Sequence, residues 1–254
     1  MMLARRLVSF VPVISSLGVW IAVERWPRVY LWVAPAAIIA LCLTVGWGAR
    51  RSPRSADFWH FLLAPFTLTL SALAYVLFLD SGWQRGVVLM TSGLGAWWYL
   101  QNLATFLYWP SSYQPYALEN ISSYLNLVAA FFLYASFFSL RLFLSWPLSV
   151  LALLTGVFTA LLAYQMSWVN KLSWHRSIPY ILALALVMFE GFLAIQFLPT
   201  VSAVNGLLLA TLLYVLMSIS RLHLLTRLER RLVQRYVGIA LTVFAFTIFT
   251  ARWT

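Results

Sequence analysis

The sequence predicts an all-α, polytopic integral membrane protein with about nine transmembrane helices, and three observations carry that prediction. The chain of 254 residues is 63% hydrophobic and only 9% charged, whereas soluble domains are roughly 45–50% apolar. Its mean hydropathy is +0.88. Its apolar runs recur at about the 20 residues that a helix needs to cross a hydrocarbon core of about 30 Å. None of them shows the alternation that a membrane β-barrel strand requires.

The first run, 7–23, follows Arg5 and Arg6 and begins like a secretory signal. Glu24-Arg25-Trp26-Pro27 stands after it in place of a small-x-small cleavage site, so it reads as an uncleaved first span. The second, 29–49, holds Pro35 and the single cysteine, Cys42; one thiol permits no internal disulfide and no multi-cysteine metal site. The third, 58–79, opens on Trp59-His60 and carries Pro65. The fourth, 86–108, and fifth, 119–141, flank QNLATFLYWPSSYQPYALENISSYLN, residues 101–126, where amides, hydroxyls, a carboxylate and prolines crowd between apolar segments. The sixth to ninth spans are expected at 147–166, 178–198, 201–220 and 236–251. Trp26, Trp59, Trp83, Trp109, Trp146, Trp174 and Trp253 lie near span ends, where amphipathic rings settle at the membrane interface.

The net charge of +11 points to topology and not to nucleic acid, because 16 of the 17 basic residues are arginines scattered at span ends. With the N-terminus inside, the inner segments hold Arg5, Arg6, Arg50, Arg51, Arg54, Lys171, Arg176, Arg221, Arg227, Arg230, Arg231 and Arg235, which is 12 of the 17. The expectation is therefore a bacterial-type plasma membrane protein, N-terminus cytoplasmic and C-terminus outside.

A self-comparison at a shift of about 115–120 residues sets Trp26-Pro27 against Trp146-Pro147, Trp59-His60 against Trp174-His175, Pro65 near Pro179, and Arg85-Gly86 against Asn205-Gly206. This points to a possible parallel duplication of a four-helix unit, with repeats at 26–141 and 146–252. The ninth helix, or alternatively the first, is then an addition. Between spans eight and nine, RLHLLTRLERRLVQR, residues 221–235, reads as a basic amphipathic cytoplasmic helix. Its Arg227, Arg230, Arg231 and Arg235 suit anionic lipid headgroups, fix topology, or serve a partner protein.

Polar groups inside a membrane are costly and tend to be functional. Glu190 stands about two residues past the middle of the seventh span with no basic residue in that helix. It is expected to face the bundle interior, as a protonatable group in a transport path or as a carboxyl bonded to a neighbouring helix. Gln101, Asn102, Glu119, Tyr124 and Asn126 are expected to enclose a pocket at the facing ends of the fourth and fifth spans. Glu119 also suits a first helical turn through the helix dipole. Asn120-Ile121-Ser122 fits a glycosylation pattern but falls on the expected cytoplasmic side.

His60, His175 and His223 lie apart with no ligand partner three or four residues away, so no metal is expected. No phosphate loop, zinc helix or nucleophile elbow occurs. The only lysine, Lys171, sits in a loop, which excludes retinal in its usual linkage, and no cofactor or catalytic residue is assigned. Three functions remain, in order of preference. The first is a small transporter or permease-like protein, favoured by the repeat, by helices broken at Pro12, Pro35 and Pro65, and by Glu190. The second is a non-catalytic auxiliary or assembly subunit of a membrane complex. The third is an intramembrane enzyme acting on a lipid or isoprenoid through Glu119, Glu190 or Asp80. The expected partners are the bilayer, anionic lipid, and a membrane protein or a second copy.

Overall fold

A computed structural model describes residues 8–49, 56–114, 116–225 and 229–250. These residues form nine long α-helices: α1 (Val11–Arg25), α2 (Tyr30–Ala49), α3 (Ala56–Val76), α4 (Gly82–Tyr108), α5 (Ala117–Leu144), α6 (Leu148–Val169), α7 (Trp174–Ile195), α8 (Ser202–Leu224) and α9 (Arg230–Thr250). There is no strand among the described residues. Seven helices are long and apolar enough to cross a membrane, which makes this a multi-pass helical membrane protein. The other two are α1, whose described part is 15 residues, and α4, which is long enough at 27 residues but diluted by Gln84, Arg85, Gln101, Asn102 and the glycines Gly82, Gly86, Gly93 and Gly95.

Each helix follows an expected span, and the differences at the ends have local causes. α9 starts at Arg230, six residues before the expected 236, because arginine is a good helix former and charge does not stop a helix at the edge of the membrane. Segment 221–235 is accordingly no helix of its own. Arg221 lies in the last turn of α8, while Arg230, Arg231 and Arg235 lie in the first two turns of α9. Residues 226–228, including Arg227, lie outside the described residues. The expected breaks at prolines are also absent: α2 and α3 run through Pro35 and Pro65, and Pro12 occupies the first turn of α1. A first-turn proline costs nothing because its missing N–H has no intrahelical partner. Interior prolines survive in membrane helices when neighbouring groups take up the freed carbonyl.

The chain divides into two compact units, 1–129 and 130–254, with the division inside α5. In the first, α1 packs on α4 and α2, and α3 packs on α4 and α2. Glycine sets the closest approach: a Cβ at Gly93 would lie 2.7 Å from Ser16 Oγ and 3.1 Å from the Pro12 carbonyl, and one at Gly86 would lie 2.8 Å from the Trp20 ring. At one end of this unit Arg85 bonds Glu24 at 2.9 Å and donates to the carbonyls of Leu79 and Asp80. Trp20 Nε1 donates to the Gly82 carbonyl.

In the second unit α6 packs on α7, α7 on α8 and α8 on α9. The second half of α5 joins them at Tyr134, Ala135 and Phe138. Phe138 stacks on Phe192 with ring centroids 4.4 Å apart, and Tyr134 bonds Thr159. A Cβ at Gly206 would stand 2.7 Å from the Ala135 backbone nitrogen. Small residues at helix crossings are what lipid-embedded packing requires, since lipid tails are as apolar as leucine and only close contact distinguishes a neighbour.

Candidate functional site

The polar stretch around the α4–α5 link is organised by Tyr113. α4 stops at Trp109, a single 3-10 turn covers Pro110–Ser112, and α5 begins at Ala117. The Tyr113 hydroxyl accepts from the Leu118 amide at 3.0 Å and donates to Glu119 Oε2 at 3.2 Å. Its ring stands edge-on to Phe106 at 5.1 Å. Burial pushes the Tyr113 phenol up and the Glu119 carboxylate adds to this, against the Leu118 hydrogen bond, so the hydroxyl stays a donor to Glu119. Nearby, Tyr108 donates to the Gly48 carbonyl at 2.6 Å and ties the end of α4 to the end of α2.

The residues expected to share a pocket are not gathered into one. Glu119 is engaged by Tyr113 at the start of α5, where an acid also complements the helix dipole. Asn102 donates back to its own helix at the Trp98 carbonyl. Gln101 is half-buried, and its carbonyl accepts from Thr105. Ser122 and Ser123 satisfy themselves on the carbonyls of Leu118 and Glu119. Tyr124 points outward, 61% exposed. Of the five expected pocket residues Asn126 is the deeply buried one, at 3%, and its Oδ1 has no partner. α4 and α5 do meet as expected, where Gly95 faces Leu125.

Two cavities in the first unit measure about 10 and 20 Å3, whereas a ligand pocket takes about 300–1,000 Å3. The smaller is edged by Ser15, Ser16, Thr69 and Ser92, enough polarity and room for a water molecule.

In the second unit Gln165 and the Tyr134–Thr159 pair are deeply buried polar features that residue type alone does not single out. Gln165 on α6 is 1% exposed, and neither its Oε1 nor its Nε2 has a partner. The signal for it was positional: Gln165 follows Phe158 and Leu162 at spacings of seven and three, so it shares their buried helical face. Tyr134, fully buried, bonds the Thr159 hydroxyl at 2.8 Å, and Thr159 in turn donates to the Thr155 carbonyl.

Glu190 is placed differently from expectation. α7 ends at Ile195, so Glu190 stands five and a half positions past the centre of a 22-residue helix, about 8 Å at 1.5 Å per residue. It is exposed and does not face the bundle interior. The interior face of α7 is taken by Ser177, Ile181, Leu184, Met188, Phe192 and Ile195 at helical spacing, which turns position 190 outward.

Arg230, Arg231 and Arg235 are exposed at the start of α9. No group of three His, Cys, Asp or Glu side chains able to hold a metal occurs among the described residues. Comparison of the chain with protein-family models, curated proteins and solved structures finds no match.

Proposed function

We propose that this chain is a non-catalytic subunit of a membrane complex and works by lateral contact with other membrane proteins. The observation that carries this reading is Glu190, a carboxyl uncovered on an otherwise apolar helix face. Such a group is costly against lipid and calls for a neighbour outside the chain. Three further features favour it over transport. Prolines do not break the helices, most hydroxyls are spent on their own helix carbonyls, and the two cavities described in the first unit have room only for water.

The nine-span topology with a cytoplasmic N-terminus belongs to this proposal, as does the duplication. For the duplication, Gly86 on α4 meets α1 and Gly206 on α8 meets α5, the same pairing in each unit. This favours α1–α4 as one copy and α5–α8 as the other, with α9, only 6% buried over its apolar window, as the addition. Arg230, Arg231 and Arg235 add an anionic-lipid contact.

A small transporter is the second reading, favoured by Asn126 Oδ1 and the Gln165 amide, buried polar atoms that call for a water, an ion or a substrate. The test is native electrophoresis of membranes extracted in mild detergent, with flux assays on the purified chain. A discrete assembly larger than the chain, with no flux from the purified chain, is expected. A chain that migrates alone and carries flux in vesicles refutes the proposal.

A further inference from the structure

Resting on the subunit reading, we infer that the outward face of α7 is a docking site for a transmembrane helix of another protein that carries an arginine or lysine at the depth of Glu190. Pro179, Leu182, Ala183, Leu186, Val187, Glu190 and Ala194 are all exposed and recur at spacings of three and four, so they form one continuous stripe along the helix. Leu182 and Leu186 are 63% and 58% exposed, so no described residue of their own unit covers that stripe. From Pro179 to Ala194 it runs fifteen residues, about 22 Å, most of the hydrocarbon thickness of about 30 Å. Ala183 and Ala194 keep the stripe low on either side of the carboxyl, which lets a second backbone come close.

The carboxyl decides the chemistry of the occupant. The Glu190 side chain has no hydrogen-bond or ionic partner among the described residues, and α7 offers no base between Arg176 and its end. Lipid tails leave it unsatisfied, whereas a guanidinium or ammonium from a neighbouring helix supplies a charge-assisted hydrogen bond in a medium with little screening. A second copy is the poorer complement. The chain's described cations lie at helix ends and links, so a parallel copy brings only another Glu190 to that depth. Charge complementarity therefore assigns the face to a different, cationic helix.

The test uses the full chain with Cys42→Ala and a donor dye on Lys171→Cys, reconstituted in zwitterionic lipid vesicles with acceptor-labelled transmembrane peptides. The peptides are 22-residue leucine–alanine helices, one with a single arginine at the matching depth and a sister with leucine there. Energy transfer is expected to show the arginine peptide binding about tenfold or more tightly than its sister, the factor that one charge-assisted bond supports. Glu190→Leu is expected to remove the difference and Glu190→Gln to keep part of it, with unchanged melting of both variants showing that they fold. Equal binding of the two peptides, or a preference that survives Glu190→Leu, overturns the site. Chain-to-chain transfer that disappears in Glu190→Leu assigns the face to a second copy and overturns it as well. A native-membrane assembly that persists in Glu190→Leu removes this site but leaves the subunit reading. A Glu190-dependent arginine preference in a chain that otherwise migrates alone does the reverse.

Discussion

Replacing Gly206 by alanine tests whether helix contact in the second unit depends on the absence of a side chain. A Cβ built there lies 2.7 Å from the Ala135 nitrogen and 2.8 Å from its Cα and Cβ, whereas carbon atoms pack at about 3.5–4.0 Å. All three opposing atoms belong to one residue's backbone and first carbon, so no rotamer change relieves the clash, and α8 must retreat from α5 by about 1 Å. A gap of that size forfeits about a quarter to a half of each contact along the crossing, and overpacking of this kind costs about 1–3 kcal/mol. Alanine returns about 1 kcal/mol through its better helix propensity. Gly18→Ala supplies the reference, because nothing lies within 4 Å of a Cβ there and only the propensity gain remains. Unfolding both variants by titration with a denaturing detergent should place Gly206→Ala about 1–3 kcal/mol below Gly18→Ala, with Gly206→Val lower still. Equal stabilities would refute the claim that this glycine sets the crossing.

Tyr134→Phe removes the bond to Thr159 while keeping the ring against Phe158; the same titration should show a loss of about 0.6 kcal/mol and no more than about 1.7, the range of interhelical bonds in membranes. Gln165→Leu replaces a buried amide with two unpaired atoms by an apolar group of similar size, so stability is expected to hold or rise, and a marked loss in a melting experiment would mean that the amide has a bound partner. Joint replacement of Arg230, Arg231 and Arg235 by glutamine should weaken binding to phosphatidylserine vesicles relative to neutral ones by about 1 kcal/mol per residue, measured by co-flotation; unchanged binding would leave these arginines a topological role only.

The all-helical class and the places of seven helices long and apolar enough to cross a membrane were legible in the sequence, because membrane thickness sets a length that composition alone reveals. What could not be read was which face of each helix turns inward. In a soluble helix apolar periodicity marks the core, but lipid is as apolar as a protein interior, so the central part of α7 reads as apolar on both its inward and its outward face. Its inward face is chosen by shape: Gly156 of α6 approaches the Ala185 carbonyl, and Gly191 approaches Leu209 and Leu212 of α8. With those small residues turned in, Glu190, one position before Gly191, falls toward the outer stripe.

The residues expected to line a polar pocket are engaged separately for a related reason, which shows how to weigh such residues. Glu119, Ser122, Ser123 and Asn126 share one side of α5 by spacing, yet the two serines bond their own helix four residues back and Glu119 is held by a tyrosine from the preceding link. A hydroxyl in a helix always has a carbonyl within reach, and an acid in a first turn always has the dipole, so neither residue type needs a site to be satisfied. An amide with both donor and acceptor, or a carboxyl far from a helix start, has no such local remedy. Asn126, Gln165 and Glu190 are residues of that kind whose polar atoms have no partner among the described residues. The first two are buried and the third is exposed. Function is therefore expected where local satisfaction fails, inside the helices at the amides and outside them at the carboxyl. Of these, only the carboxyl presents its need to another molecule without any opening of the fold.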